Sequence, residues 1–250
     1  MRVTYKLGPC ISRQPKAQSM KDLLEKLIGL IPAYFDDLLP LVSGPKRFIA
    51  KRLSSDELAM QKALIFLAVS FLIGWVLKIP LLRGDPFLEL GTDSAFVLIQ
   101  VMAYGGALYL AWRIAGGSAA MQKFLTIHFY YSGILKLIET SLHLGIMGTI
   151  RAADPALFKE FYDVAYSGNM ASFVIKNSER LLANPGYRLS LWVQFVGYGT
   201  LLTWIFVGWG AFRELNQLSK VRSIMAGLLF FVFWFPVTAL TFLIANALAK

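Results

Sequence analysis

The chain has 250 residues, a mean hydropathy of +0.56, 56% hydrophobic residues and only 16% charged ones, a balance that fits several membrane crossings and not a soluble domain. The net charge of +10 would suggest nucleic acid in a soluble protein. Here Lys and Arg stand before and between apolar segments, so anionic lipid headgroups are the simpler partner and no nucleic acid is expected.

The first 20 residues are basic and lack a continuous apolar core, so a cleavable signal peptide is not expected. Cys10 is the single cysteine, and reads as a free cytosolic thiol that can form neither an internal disulfide nor a CxxC motif. Residues 21–31 form an amphipathic pattern with Leu23, Leu24, Leu27, Ile28 and Leu30, and Pro32 ends it or begins the next turn. Residues 33–42 continue it with Tyr34, Phe35, Leu38 and Leu39. Gly44-Pro45 then punctuates the chain before Lys46, Arg47, Phe48, Ile49, Lys51, Arg52 and Leu53, where basic and apolar residues interleave as in a helix lying at a membrane interface. Lys46, Arg47, Lys51 and Arg52 are the candidate headgroup contacts, on a helix that orients the first span or, alternatively, binds a partner.

Five segments reach spanning length: residues 63–82, 94–114, 124–150, 189–212 and 223–248. Lys78 and Pro80 interrupt the end of the first, and Pro236 predicts a kink in the fifth. Gly105 and Gly106 in the second span, and Gly197, Gly199, Gly208 and Gly210 in the fourth, predict close helix packing. Tyr187, Trp192, Trp209 and Phe212 read as an interfacial belt, and Trp234 as a deeper packing residue. The 38 residues from 151 to 188 read as an external helical cap: Asp154-Pro155 starts a helix, Ser167-Gly168-Asn169 breaks it, and a second pattern runs from Met170 to the stop at Asn184-Pro185-Gly186. A lid over a substrate site is the alternative. With this layout, 16 of the 25 Lys and Arg residues fall on the N-terminal side and eight on the other, which puts the N-terminus in the cytoplasm and the C-terminus outside. The expected fold is all-α: an N-terminal region (residues 1–60) with interfacial helices, then a five-helix transmembrane bundle (residues 61–250).

The third span carries His128, Ser132, Lys136, Glu139 and His143 within about an 80° arc of one helix face, spread over about 22 Å. Such groups are expensive in hydrocarbon, so they should face protein, each other or a water-filled cavity. A re-entrant or interfacial placement of this segment is the alternative. Glu139 and His143 have metal-ligand spacing, but His128 is too far along the helix to join them and the other spans offer no His or Cys, so neither a metal nor another cofactor is implied. Lys136 and Glu139 stand at i, i+3 and can neutralise each other. Gln100 and Gln194 are the candidate polar neighbours if the stripe lines a pathway. No catalytic motif appears, neither Walker loop, HExxH, GxSxG nor paired carboxylates within a span, so no catalytic residue and no enzyme is expected.

Gly44-Pro45-Lys46-Arg47-Phe48, the basic Lys51-Arg52 that follows and the span count resemble the Yip-domain family over residues 41–248. The long loop between the third and fourth spans departs from the compact eukaryotic members, and the charged third span matches no motif of the family. The resemblance implies a cytosolic N-terminal region, five closely spaced spans and no enzymatic chemistry. Its eukaryotic members act in vesicle trafficking and contact small GTPases, while bacterial members mostly lack an assigned role; the bacterial cytoplasmic (inner) membrane is the expected location here. Two functions follow as expectations. A scaffold that binds a protein partner or a second copy of itself predicts a sealed stripe that no pocket reaches. A transporter or channel for a small solute predicts a water-accessible cavity touching His128 or Glu139. A lipid-modifying enzyme would need a catalytic cluster at headgroup level, and none is visible.

Overall fold

The computed structural model describes residues 20–55, 58–81, 86–167 and 170–248; these are helical outside short connections, with no strand among them. Cys10 lies outside the described residues, as do the side chains of Leu23, Leu24, Leu27, Ile28 and Leu30.

The N-terminal pattern forms one helix, α1 (Met20–Ser43), which continues through Pro32 and Pro40 instead of breaking at Pro32. A proline inside a helix removes one backbone hydrogen bond, so tertiary packing has to hold the helix together. It does so here: Tyr34 and Leu41 are buried, with Tyr34 stacked on Phe66 at 4.7 Å and its hydroxyl 3.1 Å from Ser70 Oγ. Gly44 separates α1 from α2 (Pro45–Ser55), where Pro45 takes the first helical position at little cost because that N–H has no helical partner. Phe48 and Ile49 of α2 join the same core, with Phe48 edge-on to Tyr130 at 5.1 Å. Ile31, Phe35, Leu39 and Val42 leave an exposed apolar stripe on the other side of α1.

Among the described residues, four helices are long and apolar enough to cross a membrane: Ala59–Leu81, Phe96–Ile114, Pro185–Asn216 and Lys220–Thr241. They belong to α3 (Ala59–Lys78, continued by a 3-10 turn Ile79–Leu81), α4 (Pro86–Ile114), α9 (Pro185–Asn216) and α10 (Lys220–Leu248). The third segment forms α5 (Met121–Ala153), long enough to span, but its ionised and polar side chains keep it out of this apolar set. It lies between α3 and α9. Both contacts are close because glycines remove a side chain: a Cβ on Gly133 would stand 2.8 Å from the Phe66 ring, and one on Gly197 would stand 2.4 Å from Leu142 Cδ1. α4 packs mainly on α10, through the 2.9 Å Tyr104–Thr238 hydroxyl contact and an edge-on Tyr104–Phe230 pair. α10 runs unbroken through Pro236.

The segment between α5 and α9 forms α6 (Pro155–Ser167), α7 (Met170–Lys176) and α8 (Ser178–Ala183), with their own small core of Leu157, Phe158, Phe161, Tyr162 and Leu181 against Met147, Ile150 and Tyr187. Asp154 Oδ1 accepts from the backbone N–H groups of Ala156 and Leu157 at 3.0 and 2.9 Å, which starts α6 where Asp154-Pro155 predicted. The expected stop at 184–186 is also a start. Asn184 caps α9 by accepting from Tyr187 N at 3.1 Å, and Pro185 occupies the first turn. Arg180 and Glu160 form a two-pronged ion pair, at 2.8 and 3.0 Å, between α8 and α6. Its hydrogen bonds hold the Glu160 carboxyl below its ordinary pKa.

Candidate functional site

A cavity of about 550 Å³ lies between the α4–α10 pair and the α5–α9 face, and the charged stripe forms one wall of it. His128, Ser132, Lys136 and Glu139 of α5 line it together with Gln100 of α4. The sealed seam expected of a scaffold is therefore not what the fold builds. The reason is the pairing of helices: α4 leans mainly on α10 and meets α5 at Tyr109–Phe124 and near His128, where a Cβ on Gly105 would stand 2.7 Å from the imidazole.

The stripe is graded along its length. His128 Nε2 lies 2.9 Å from the Val101 carbonyl oxygen and 3.5 Å from Ser132 Oγ, which fixes the ring between α4 and α5. Two turns on, Lys136 Nζ donates to Glu139 Oε2 at 3.2 Å and lies over the Phe71 ring, 5.5 Å from its centroid. The Lys136 side chain is 12% exposed and that of Glu139 is 59% exposed. Glu139 thus marks the mouth. At the other end Trp112, Phe124 and Phe212 pack together with ring centroids 4.6 to 6.4 Å apart, and Trp112 is fully buried. The cavity is blind at that end.

Two expected stripe members stand apart from it. His143 is one turn past Glu139 and does not line the cavity. Gln194 is also absent from the lining, because α9 contributes residues 204–212 and Gln194 lies nearer its start, next to Val193, which meets Gly145. The sequence reading missed the aromatic wall. Trp112, Tyr131, Trp204, Trp209, Phe212 and Trp234 line the cavity, so Trp209 and Phe212 face inward and are not part of a belt. The Trp204 indole donates to the Tyr131 carbonyl at 3.2 Å and that of Trp209 to Ser223 Oγ at 3.3 Å. Trp112 Nε1 and the Tyr131 hydroxyl are buried with no hydrogen-bond partner among the described residues. Such groups cost stability unless something else satisfies them.

The basic segment before the first span is used partly inside the protein. Arg52 pairs with the buried Asp37, whose other oxygen accepts from Tyr130 Oη at 2.9 Å, and Lys46 pairs with Glu214 of α9. Arg47 and Lys51 are exposed. No cluster of three or more His, Cys, Asp or Glu side chains able to hold a metal ion forms among the described residues. The arrangement suits binding: an apolar, aromatic chamber with one ammonium and a few hydrogen-bonding groups on one side. Comparison with protein families, with curated proteins and with solved structures finds no match to this chain.

Proposed function

We propose that this protein is a non-enzymatic integral membrane protein that holds a small amphipathic molecule in the cavity beside α5. In this reading α3, α4, α5, α9 and α10 cross the bilayer as five spans, with the N-terminus cytoplasmic and the C-terminus outside, as the distribution of basic residues favours. The observation that carries it is the cavity wall itself: His128, Ser132, Lys136 and Glu139 border one chamber, with Lys136 nearly buried and Glu139 exposed. This is the feature expected of a solute-handling protein and not of a sealed scaffold. The closed Trp112 end favours a binding pocket over an open channel.

A scaffold of the Yip-domain kind remains the second reading. It is favoured by a groove of about 1100 Å³ between α1, α5 and α9, lined by Leu38, Val42, Ile138, Val196 and Gly197, where a partner helix would find an apolar surface. In both readings exposed Arg47 and Lys51 meet anionic headgroups.

Single cysteines introduced along α5 in a Cys10→Ser background, probed with a membrane-impermeant thiol reagent, separate the two. Labelling at positions 132, 136 and 139 is expected for the pocket. Labelling confined to the ends of α5 would sink it and leave the scaffold.

A further inference from the structure

We infer that the occupant of this cavity is a single-chain amphiphile with an anionic, hydrogen-bond-accepting head, its head on Lys136 and its apolar body along α5 toward Trp112. The inference rests on the pocket reading above and adds the chemical class. Three observations converge on it.

The first is the balance of hydrogen-bonding groups. Among the polar atoms lining the chamber, several are already engaged: His128 with Val101, Gln100 Nε2 with Tyr104 Oη at 2.8 Å, and Tyr104 with Thr238. Trp112 Nε1 and the Tyr131 hydroxyl, on two of the lining residues, are buried without a partner among the described residues, but both atoms are closed off from the chamber and make no claim on its occupant. Lys136 adds three N–H groups, of which one is directed at Glu139. The donor capacity left on the chamber wall is that of Lys136.

The second is the placement of charge. Lys136 is the inner partner at 12% exposure and Glu139 the outer one at 59%. An incoming anion can take the place of Glu139 on the ammonium while the displaced carboxylate turns outward at the mouth. A cationic head finds a carboxylate only at the exposed mouth, and deeper in it meets Lys136, where like charges repel.

The third is shape. From Lys136 to His128 the helix rises about 12 Å. Over that length the wall facing α5 is mostly apolar and aromatic, with Val97, Leu108, Trp209 and Trp234 around Gln100 and Tyr104, whose Nε2 and hydroxyl are already hydrogen-bonded to each other. A linear alkyl body fits such a slot, with its end against the closed cluster of Trp112 and Phe212.

The test uses full-length protein in uncharged detergent micelles and three probes of one chain length, each brominated at the far carbon: dodecanoate, dodecanol and dodecyltrimethylammonium. Four of the six tryptophans line the cavity, so a bound bromine quenches their fluorescence. Saturable quenching by the carboxylate is expected, about tenfold tighter than by the other two, as one charge-assisted hydrogen bond would give. Lys136→Met should bring the carboxylate to the level of the alcohol, and Lys136→Arg should keep the preference. If Lys136→Met does not purify as a single species, Lys136→Met combined with Glu139→Gln carries the same comparison. Saturable quenching with no preference, or with preference for the ammonium, and lost in the cavity-filling Val97→Phe, overturns the anionic class and leaves the pocket standing. Quenching that never saturates, or that Val97→Phe leaves unchanged, overturns the pocket itself.

Discussion

Gly105 and Gly106 are adjacent on α4, yet the fold gives them opposite surroundings. A Cβ on Gly106 meets nothing within 4 Å. A Cβ on Gly105 would stand 2.7 Å from His128 Cδ2, 3.0 Å from His128 Nε2 and 3.1 Å from Leu125 Cδ2. Normal carbon contacts are about 3.5–4.0 Å, so α4 and α5 must separate by most of an ångström or the imidazole must turn. Turning it gives up the 2.9 Å contact with the Val101 carbonyl. Overpacking costs about 1–3 kcal/mol and loss of a buried hydrogen bond about 1 kcal/mol more, against a gain of up to about 1 kcal/mol from replacing glycine in a helix. Gly105→Ala should therefore destabilise the protein by about 1–3 kcal/mol, while Gly106→Ala should be neutral or slightly stabilising. Reversible unfolding in mixed micelles, followed by tryptophan fluorescence, measures both. The His128→Ala background supplies the decisive control: the penalty of Gly105→Ala should largely vanish there, with a coupling of at least about 1 kcal/mol. Equal stability of Gly105→Ala and Gly106→Ala, or an unchanged penalty without the imidazole, refutes the close α4–α5 approach.

Three further outcomes follow from the same contacts. Glu139→Gln leaves the Lys136 ammonium without its carboxylate and should cost about 1–2 kcal/mol, less than a fully buried pair because Glu139 is at the mouth; adding Lys136→Met should restore the loss in the same unfolding assay. Asn184→Ala removes the cap of α9 and should lower stability by about 1 kcal/mol, with Asn184→Ser recovering most of it. The Glu160–Arg180 clamp should respond to acid. Because the folded pKa of Glu160 is depressed, its contribution is complete above the ordinary glutamate value of about 4.3 and is lost as pH falls through the lower folded value. Amide exchange in α6 and α8, corrected for intrinsic rates, should speed up across that window, and Glu160→Gln should abolish the dependence.

Local chemistry made several features legible in the sequence. Gly44-Pro45 and Asp154-Pro155 act through their own backbone preferences, and the helices change at both places. Pro32 was misleading for the same reason: its local tendency to end a helix is overridden by the packing of Tyr34 and Leu41, which no nearby residue announces. The polar stripe of α5 was visible from helical period alone, and four of its five members share one cavity. Which other residues face it depends on which helices pair. Gln100 and Gln194 are the same residue type in comparable segments, and only the first reaches the site. Tryptophan is equally ambiguous, since an amphipathic ring suits a membrane boundary or a pocket. The partner of Lys46 lies 168 residues away at Glu214, a separation over which sequence pattern carries no information.

The polar stripe and the cavity have a common origin in how α5 is covered. Toward α3 it presents Gly133 to Phe66 and Ser70, and toward α9 it presents Leu142 to Gly197 and Gly145 to Val193. At those points the contact is too tight to leave room for a side chain, although a groove opens beside α9 toward α1. The remaining face meets α4 at Tyr109, Gly105 and Val101, while Tyr104 ties α4 to Thr238 and Phe230 of α10. A helix that crossed hydrocarbon there would be expected to carry apolar residues, as α10 does. Placing Lys136 and Glu139 on the wall of the cavity is costly unless the cavity is wet or occupied. Simple register-fixing would be served by a pair buried against α3 or α9, where glycines already bring the backbones together. The pair instead borders the cavity, with Lys136 against Phe71 of α3 and Glu139 exposed, a position that makes sense for groups that meet something other than this chain.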